Sequence, residues 1–155
     1  MANTSISLQR TWVVRWMYAA ALVHLLVGAL LPWVANAALF NSYHQGIETA
    51  FWAGLAPAPA RAQQVWWLSL FGATVQCLSL WMWALIRMGD TQKNPSAWGW
   101  LIAGLLIWAP QDMLISLQAQ VWPHVWADCV ALVGMLPPLV WLYRHDRTIE
   151  KAKHA

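Results

Sequence analysis

The sequence predicts an all-α polytopic membrane protein: an antiparallel four-helix transmembrane bundle with an amphipathic helix on its outer face. Three observations predict it. Of 155 residues, 60% are hydrophobic and only 10% are Asp, Glu, Lys or Arg, where an ordinary soluble domain carries about 25% charged residues. Four stretches are apolar over about 20 residues, the length a helix needs to cross hydrocarbon. Finally, the basic residues sort to one side of a four-span arrangement. The same composition excludes a disordered chain, a collagen and a disulfide-rich secreted module, since there are only two cysteines and no glycine repeat.

The predicted spans are residues 13–34, 65–86, 97–117 and 121–143 of a single transmembrane domain covering 1–155, with a long outer loop at 35–64. Arg10 and Arg15 belong to the start of the first span. Arg87 and Lys93 lie at the connection between the second and third, and Arg144, Arg147, Lys151 and Lys153 follow the fourth. Only Arg61 falls on the other side. Lys and Arg are retained in the cytoplasm, so both termini are expected inside. No basic stripe suited to nucleic acid is present. The first span also carries features of a signal peptide, ending at Ala35-Asn36-Ala37. Its longer apolar run and the central His24 favour a retained helix.

The connection 88–96 holds Gly89-Asp90 and Asn94-Pro95 and reads as a short polar turn; residues 118–120 make a still shorter one. Short links place successive spans side by side and antiparallel. In the outer loop, Leu39, Tyr43, Ile47 and Phe51 recur every four residues, which predicts an amphipathic helix capping the bundle or lying in the interface. The Ala/Pro run at 56–60 breaks it.

Fourteen tryptophans are unusual. Indole prefers the membrane boundary, and twelve of these side chains fall in two belts. Trp12, Trp16, Trp81, Trp83, Trp98, Trp100 and Trp141 mark the cytoplasmic face; Trp33, Trp52, Trp66, Trp67 and Trp122 mark the outer one. Trp108 and Trp126 sit at depth, where they would line a cavity, stack on a ligand or pack between helices, packing being the plainer reading.

Intramembrane charge is costly, which makes Asp112 and Asp128 functional candidates. Counted along adjacent antiparallel spans, they share a layer in the outer half, and two close carboxylates do not both ionise cheaply. His124 is one turn from Asp128, Gln111 neighbours Asp112, and Pro110 opens the helix there by removing an N–H. His24 and Gln76 lie on small-and-polar stripes of the first two spans, which belong inside a bundle. The candidate ligand-binding set is Asp112, Asp128, His124, Gln111, Gln76, His24, Trp108 and Trp126, with Asp112, Asp128 and His124 as candidate acid/base groups. His44 and Glu48, four apart, would meet His124 and Asp128 if their helix caps the bundle, a donor set that suits a divalent metal. An ordinary contact between neighbours on a wet helix face is the plainer reading. Cys77 and Cys129 read as buried free thiols. No cofactor is expected.

The run Trp108-Ala109-Pro110-Gln111-Asp112-Met113, followed by Trp122, His124, Trp126 and Asp128, resembles small proteobacterial four-span inner-membrane proteins, as do the size and layout of the whole chain. The layout is also similar to DoxX-like proteins and to the emopamil-binding group. The latter resemblance implies intramembrane acids that bind or isomerise lipophilic amines and sterols. No motif of that group matches residue by residue, so no catalytic role carries over. The expected function is that of an accessory or assembly protein, binding a partner membrane protein or a lipophilic small molecule in an outer-half pocket. A small membrane enzyme of isomerase type, or a proton or metal pathway through the same residues, is the alternative.

Overall fold

A computed structural model describes residues 2–52 and 56–154, with side chains from residue 8 to 153; residues 53–55 of the outer loop lie outside the described residues. The described residues form five α-helices: α1 (Ala2–Val34), α2 (Asn41–Trp52), α3 (Ala60–Gln92), α4 (Pro95–Gln118) and α5 (Trp122–His154). A single 3-10 turn, Ala38–Phe40, leads into α2. No strand occurs among the described residues. Four helices, all but α2, are long and apolar enough to cross a membrane. This is a multi-pass helical bundle.

The helices run up, down, up and down. α1 packs chiefly on α3 and α4 on α5; thinner seams between α3 and α4 and between α1 and α5 close a ring. α1, α3 and α5 have 33 residues each, or about 50 Å at ~1.5 Å per residue, so they project beyond a hydrocarbon layer of ~30 Å. Their polar extensions are gathered at the end that carries both termini. The connections are accordingly tighter than the sequence suggests. Gly89 and Asp90 stay helical, and the turn between α3 and α4 is only Lys93 and Asn94. Lys93 takes a left-handed conformation at φ 52°. Asn94 then caps α4 by accepting a hydrogen bond from the Ser96 N–H at 2.9 Å, and Pro95 fills the first position, where a missing N–H costs nothing.

α4 ends in a Schellman motif. The Val121 N–H donates to the Ser116 carbonyl (2.8 Å) and the Gln120 N–H to that of Leu117 (3.1 Å), with Gln120 left-handed at φ 59°. Val121 is buried beyond it.

Two helix contacts form where proline leaves a carbonyl open. Pro32 removes the N–H that would bond the Gly28 carbonyl, and this carbonyl faces Gly72 of α3. A Cβ on Gly72 would come within 2.8 Å of Gly28 O, and one on Gly28 within 2.7 Å of Gly72 O and of Gln76 N. Only hydrogen fits on both sides, so α1 and α3 cross with backbones touching. Pro138 likewise orphans the Gly134 carbonyl. The Trp16 indole N–H donates to it at 2.8 Å, tying α1 to α5. Trp16 thus stays on the outside of the bundle and still bonds inward.

Most tryptophans face outward as belts require, among them Trp12, Trp33, Trp66, Trp81, Trp100 and Trp122. Trp98 departs from the expected belt. It is wholly buried because its ring lies flat on Gly89, where a Cβ would overlap Trp98 Cε2 and Cζ2. Its N–H donates to Asp146 Oδ2 at 2.9 Å. Arg10 grips the same carboxylate through Nε and a terminal nitrogen, both at 2.9 Å. It also reaches Asp90 at 3.0 Å and the Gly89 carbonyl at 3.1 Å. One guanidinium therefore joins α1, α3 and α5, and Trp98 adds α4.

Candidate functional site

At the opposite end, the α4–α5 turn sets the depth of the two intramembrane acids. Asp112 lies six residues before the end of α4, and Asp128 six after the start of α5. Antiparallel neighbours with equal offsets are level, and the two carboxyl groups lie close enough to act on each other. Two close carboxylates do not both ionise cheaply. Asp128 is 2% exposed. Its Oδ2 has no hydrogen-bond partner.

α2 covers this layer. Tyr43 stacks on His124 with ring centroids 5.6 Å apart and planes 8° from parallel, and the Tyr43 hydroxyl is 2.9 Å from His124 Nε2. Burial pushes the Tyr43 phenol above its usual range, and the nearby Asp112 carboxyl adds to the shift. A phenol held in its protonated form can donate to the imidazole nitrogen. Tyr43 was visible in the sequence only as one member of an apolar stripe; its hydroxyl, at the polar tip of an otherwise apolar side chain, was the signal for a site role.

His44 and Glu48 do not join His124 and Asp128. Successive helix residues point about 100° apart, so with Tyr43 against α5, His44 turns toward α1 and α3. Its Nδ1 is 2.9 Å from Gln64 Oε1 and its Nε2 is 2.8 Å from the Ala35 carbonyl, leaving no ring nitrogen for a metal. Glu48 accepts from Arg61 Nε at 2.8 Å and from Gln64 at 3.4 Å. The Arg61 bond is the main reason that its carboxyl titrates below the usual range. Among the described residues, no three His, Cys, Asp or Glu side chains are grouped to hold a metal ion.

The other candidates lie apart from the acid pair. Trp126, two residues before Asp128 and so on the far side of α5, is 67% exposed, and Trp108 is 42% exposed. Neither packs between helices; both face the surroundings of the bundle. Gln111 is exposed and folds back to donate to the Ile107 carbonyl at 2.8 Å. Gln76 lies at the Gly28–Gly72 crossing. His24 bonds within its own helix, with Nδ1 2.7 Å from the Ala20 carbonyl. Cys129 is half-buried and Cys77 exposed, unlike the buried thiol expected.

The site is therefore smaller than the sequence suggests: Asp112, Asp128 and His124, with Tyr43 over them. Two adjacent acids, one orphan oxygen and an aromatic cover can hold a proton or receive a hydrogen-bond donor. Compared with known proteins, the chain matches no family model, no curated protein and no solved structure.

Proposed function

We propose that the protein is a non-enzymatic accessory protein of a bacterial inner membrane, with both termini cytoplasmic. In this reading its Asp112–Asp128 pair binds the donor-bearing head of a lipophilic small molecule, such as a protonated amine. The observation that carries this is the orphan Asp128 Oδ2. A buried polar atom without a partner costs about 1–3 kcal/mol, more in hydrocarbon. A ligand that brings an N–H or O–H to that atom recovers this energy. Apolar walls around a few polar groups are the usual make-up of small-molecule sites. Entry from the α2 end requires the Tyr43–His124 contact to break, so α2 acts as the cover.

Dodecylamine and dodecanol share a tail and differ in the head. Added to the purified full chain, dodecylamine is expected to raise the melting temperature, while Asp128→Asn abolishes that rise and keeps the helical content. An equal response to both compounds, or an unchanged response in Asp128→Asn, overturns the reading. General acid/base chemistry on a lipid-like substrate is the second reading, favoured by the closeness of two carboxyls that do not both ionise cheaply. It predicts turnover of a bound lipid that is lost in Asp112→Asn as well as Asp128→Asn.

A further inference from the structure

A second site lies at the end that carries both termini, away from the acid pair. There a hollow of about 370 Å³ opens between the start of α1 and the last turns of α5, lined by Gln9, Trp141, Arg144, His145 and Thr148. Its chemistry is uneven in a useful way. Trp141 forms a flat apolar wall, and the His145 imidazole stacks on it with centroids 5.0 Å apart and planes 19° from parallel. Arg144 is exposed, and among the described residues its guanidinium has no hydrogen-bond or ion-pair partner. Thr148 donates its hydroxyl to the Arg144 carbonyl at 2.9 Å, which leaves Arg144, His145, Gln9 and the Trp141 indole N–H as donors.

Several neighbouring cations are already engaged. Arg147 donates to the Tyr143 hydroxyl at 3.2 Å, Arg10 is consumed by Asp146 and Asp90, and Lys93 is 3.6 Å from Asp90. Of the three acids at this end, Asp90 and Asp146 are paired elsewhere and Glu150 lines a different hollow. A second hollow, of about 310 Å³, includes Glu150 beside Lys93 and Lys153 and so suits an anion less well.

Position decides which anion. Arg144 follows directly on the apolar run of α5, at the level where exposed Trp12 and Trp100 mark a membrane boundary. Basic pockets between transmembrane helices at that boundary recognise anionic headgroups, and a guanidinium matches a phosphate with paired N–H donors. We propose that this hollow binds the phosphate headgroup of an anionic phospholipid, held by Arg144 with His145 and Gln9, its glycerol end against Trp141.

The test is native mass spectrometry of the full chain released from micelles holding equal amounts of phosphatidylglycerol and phosphatidylcholine. The wild-type chain is expected to retain phosphatidylglycerol about fivefold over phosphatidylcholine, the effect of one well-placed basic residue. Arg144→Gln is expected to lose that preference. Arg87→Gln, which removes the same charge from an exposed position on α3, is expected to keep it. A preference unchanged in Arg144→Gln overturns the proposal, as does an equal loss in Arg87→Gln. Displacement of the lipid by excess inorganic phosphate overturns the lipid assignment in favour of a free phosphate site.

Discussion

Single side chains in this bundle do work that their residue type conceals. Trp98 is the clearest case: composition places it with the boundary tryptophans, yet it is a buried hydrogen-bond donor seated on a glycine. The seat is a testable requirement. Gly89→Ala puts a methyl group into the indole ring, and overpacking of this kind costs about 1–3 kcal/mol. A lower melting temperature is expected, with the Trp98 indole N–H resonance displaced in the NMR spectrum. Wild-type stability and an unmoved resonance would show that the ring does not rest there. Why Trp98 was illegible from sequence is a matter of distance. Its partners lie on other helices, Gly89 just across the α3–α4 turn and Asp146 far along the chain on α5, and periodicity reads only spacing within one helix. Asp112 and Asp128 were legible because a charge inside an apolar run is anomalous in itself, and their shared level follows from counting around one short turn. That counting did not reach the face each neighbour occupies. Trp126 was grouped with Asp128 by depth, but two residues along a helix is nearly half a turn.

Among the elements, α2 differs most from its neighbours. It is short, has few contacts with the spans and is fixed mainly by polar groups: His44 to Gln64 and Ala35, Glu48 to Arg61, Tyr43 to His124. The four-residue spacing made its helix legible, but which polar face pairs with which span depends on the rotation of α2, which spacing leaves free. Its docking should respond to acid. The Glu48 carboxyl titrates below its ordinary value of 4.5, chiefly because Arg61 bonds its ionised form. A carboxyl whose folded value is depressed contributes stability above the unfolded value and loses it as pH falls through the folded one. The melting-temperature difference between the wild-type chain and Glu48→Gln is therefore expected to be constant at neutral pH and to close on acidification below 4.5. A difference that persists unchanged at low pH would show that the ion pair does not hold α2. The group is accessible to water, so the effect is small.

Across the whole molecule, the two ends have opposite designs. The α2 end leaves a buried carboxyl oxygen without a partner; the terminal end satisfies its buried ions fully. Arg10 and Asp146, both buried, meet through two bonds and draw in Asp90, Gly89 and Trp98. Breaking one side of a buried pair leaves an uncompensated charge and costs about 3–5 kcal/mol. Arg10→Gln and Asp146→Asn are each expected to lower the melting temperature sharply, while Arg10→Met combined with Asp146→Leu recovers part of the loss. A double variant as unstable as the sum of the singles would show that the charges act independently. The pairing of α3 with α4 and of α4 with α5 was legible from the short connections, whereas the α1–α3 and α1–α5 seams were not. The ionic clasp was not, because Arg10 had already been used as a marker of orientation and Asp146 sits inconspicuously in a basic tail.

That clasp also bears on how the chain is made. Arg10 emerges with α1, and its main counter-charge is 136 positions later. Once α3 is made, Asp90 can accompany the guanidinium, but until α5 follows the buried partner Asp146 is still missing. α1 and α3 can already associate through Gly28 and Gly72, but the ring cannot shut. Closure waits for α5, which carries Asp146. A chain that stops short of Asp146 has no stable place for its own beginning.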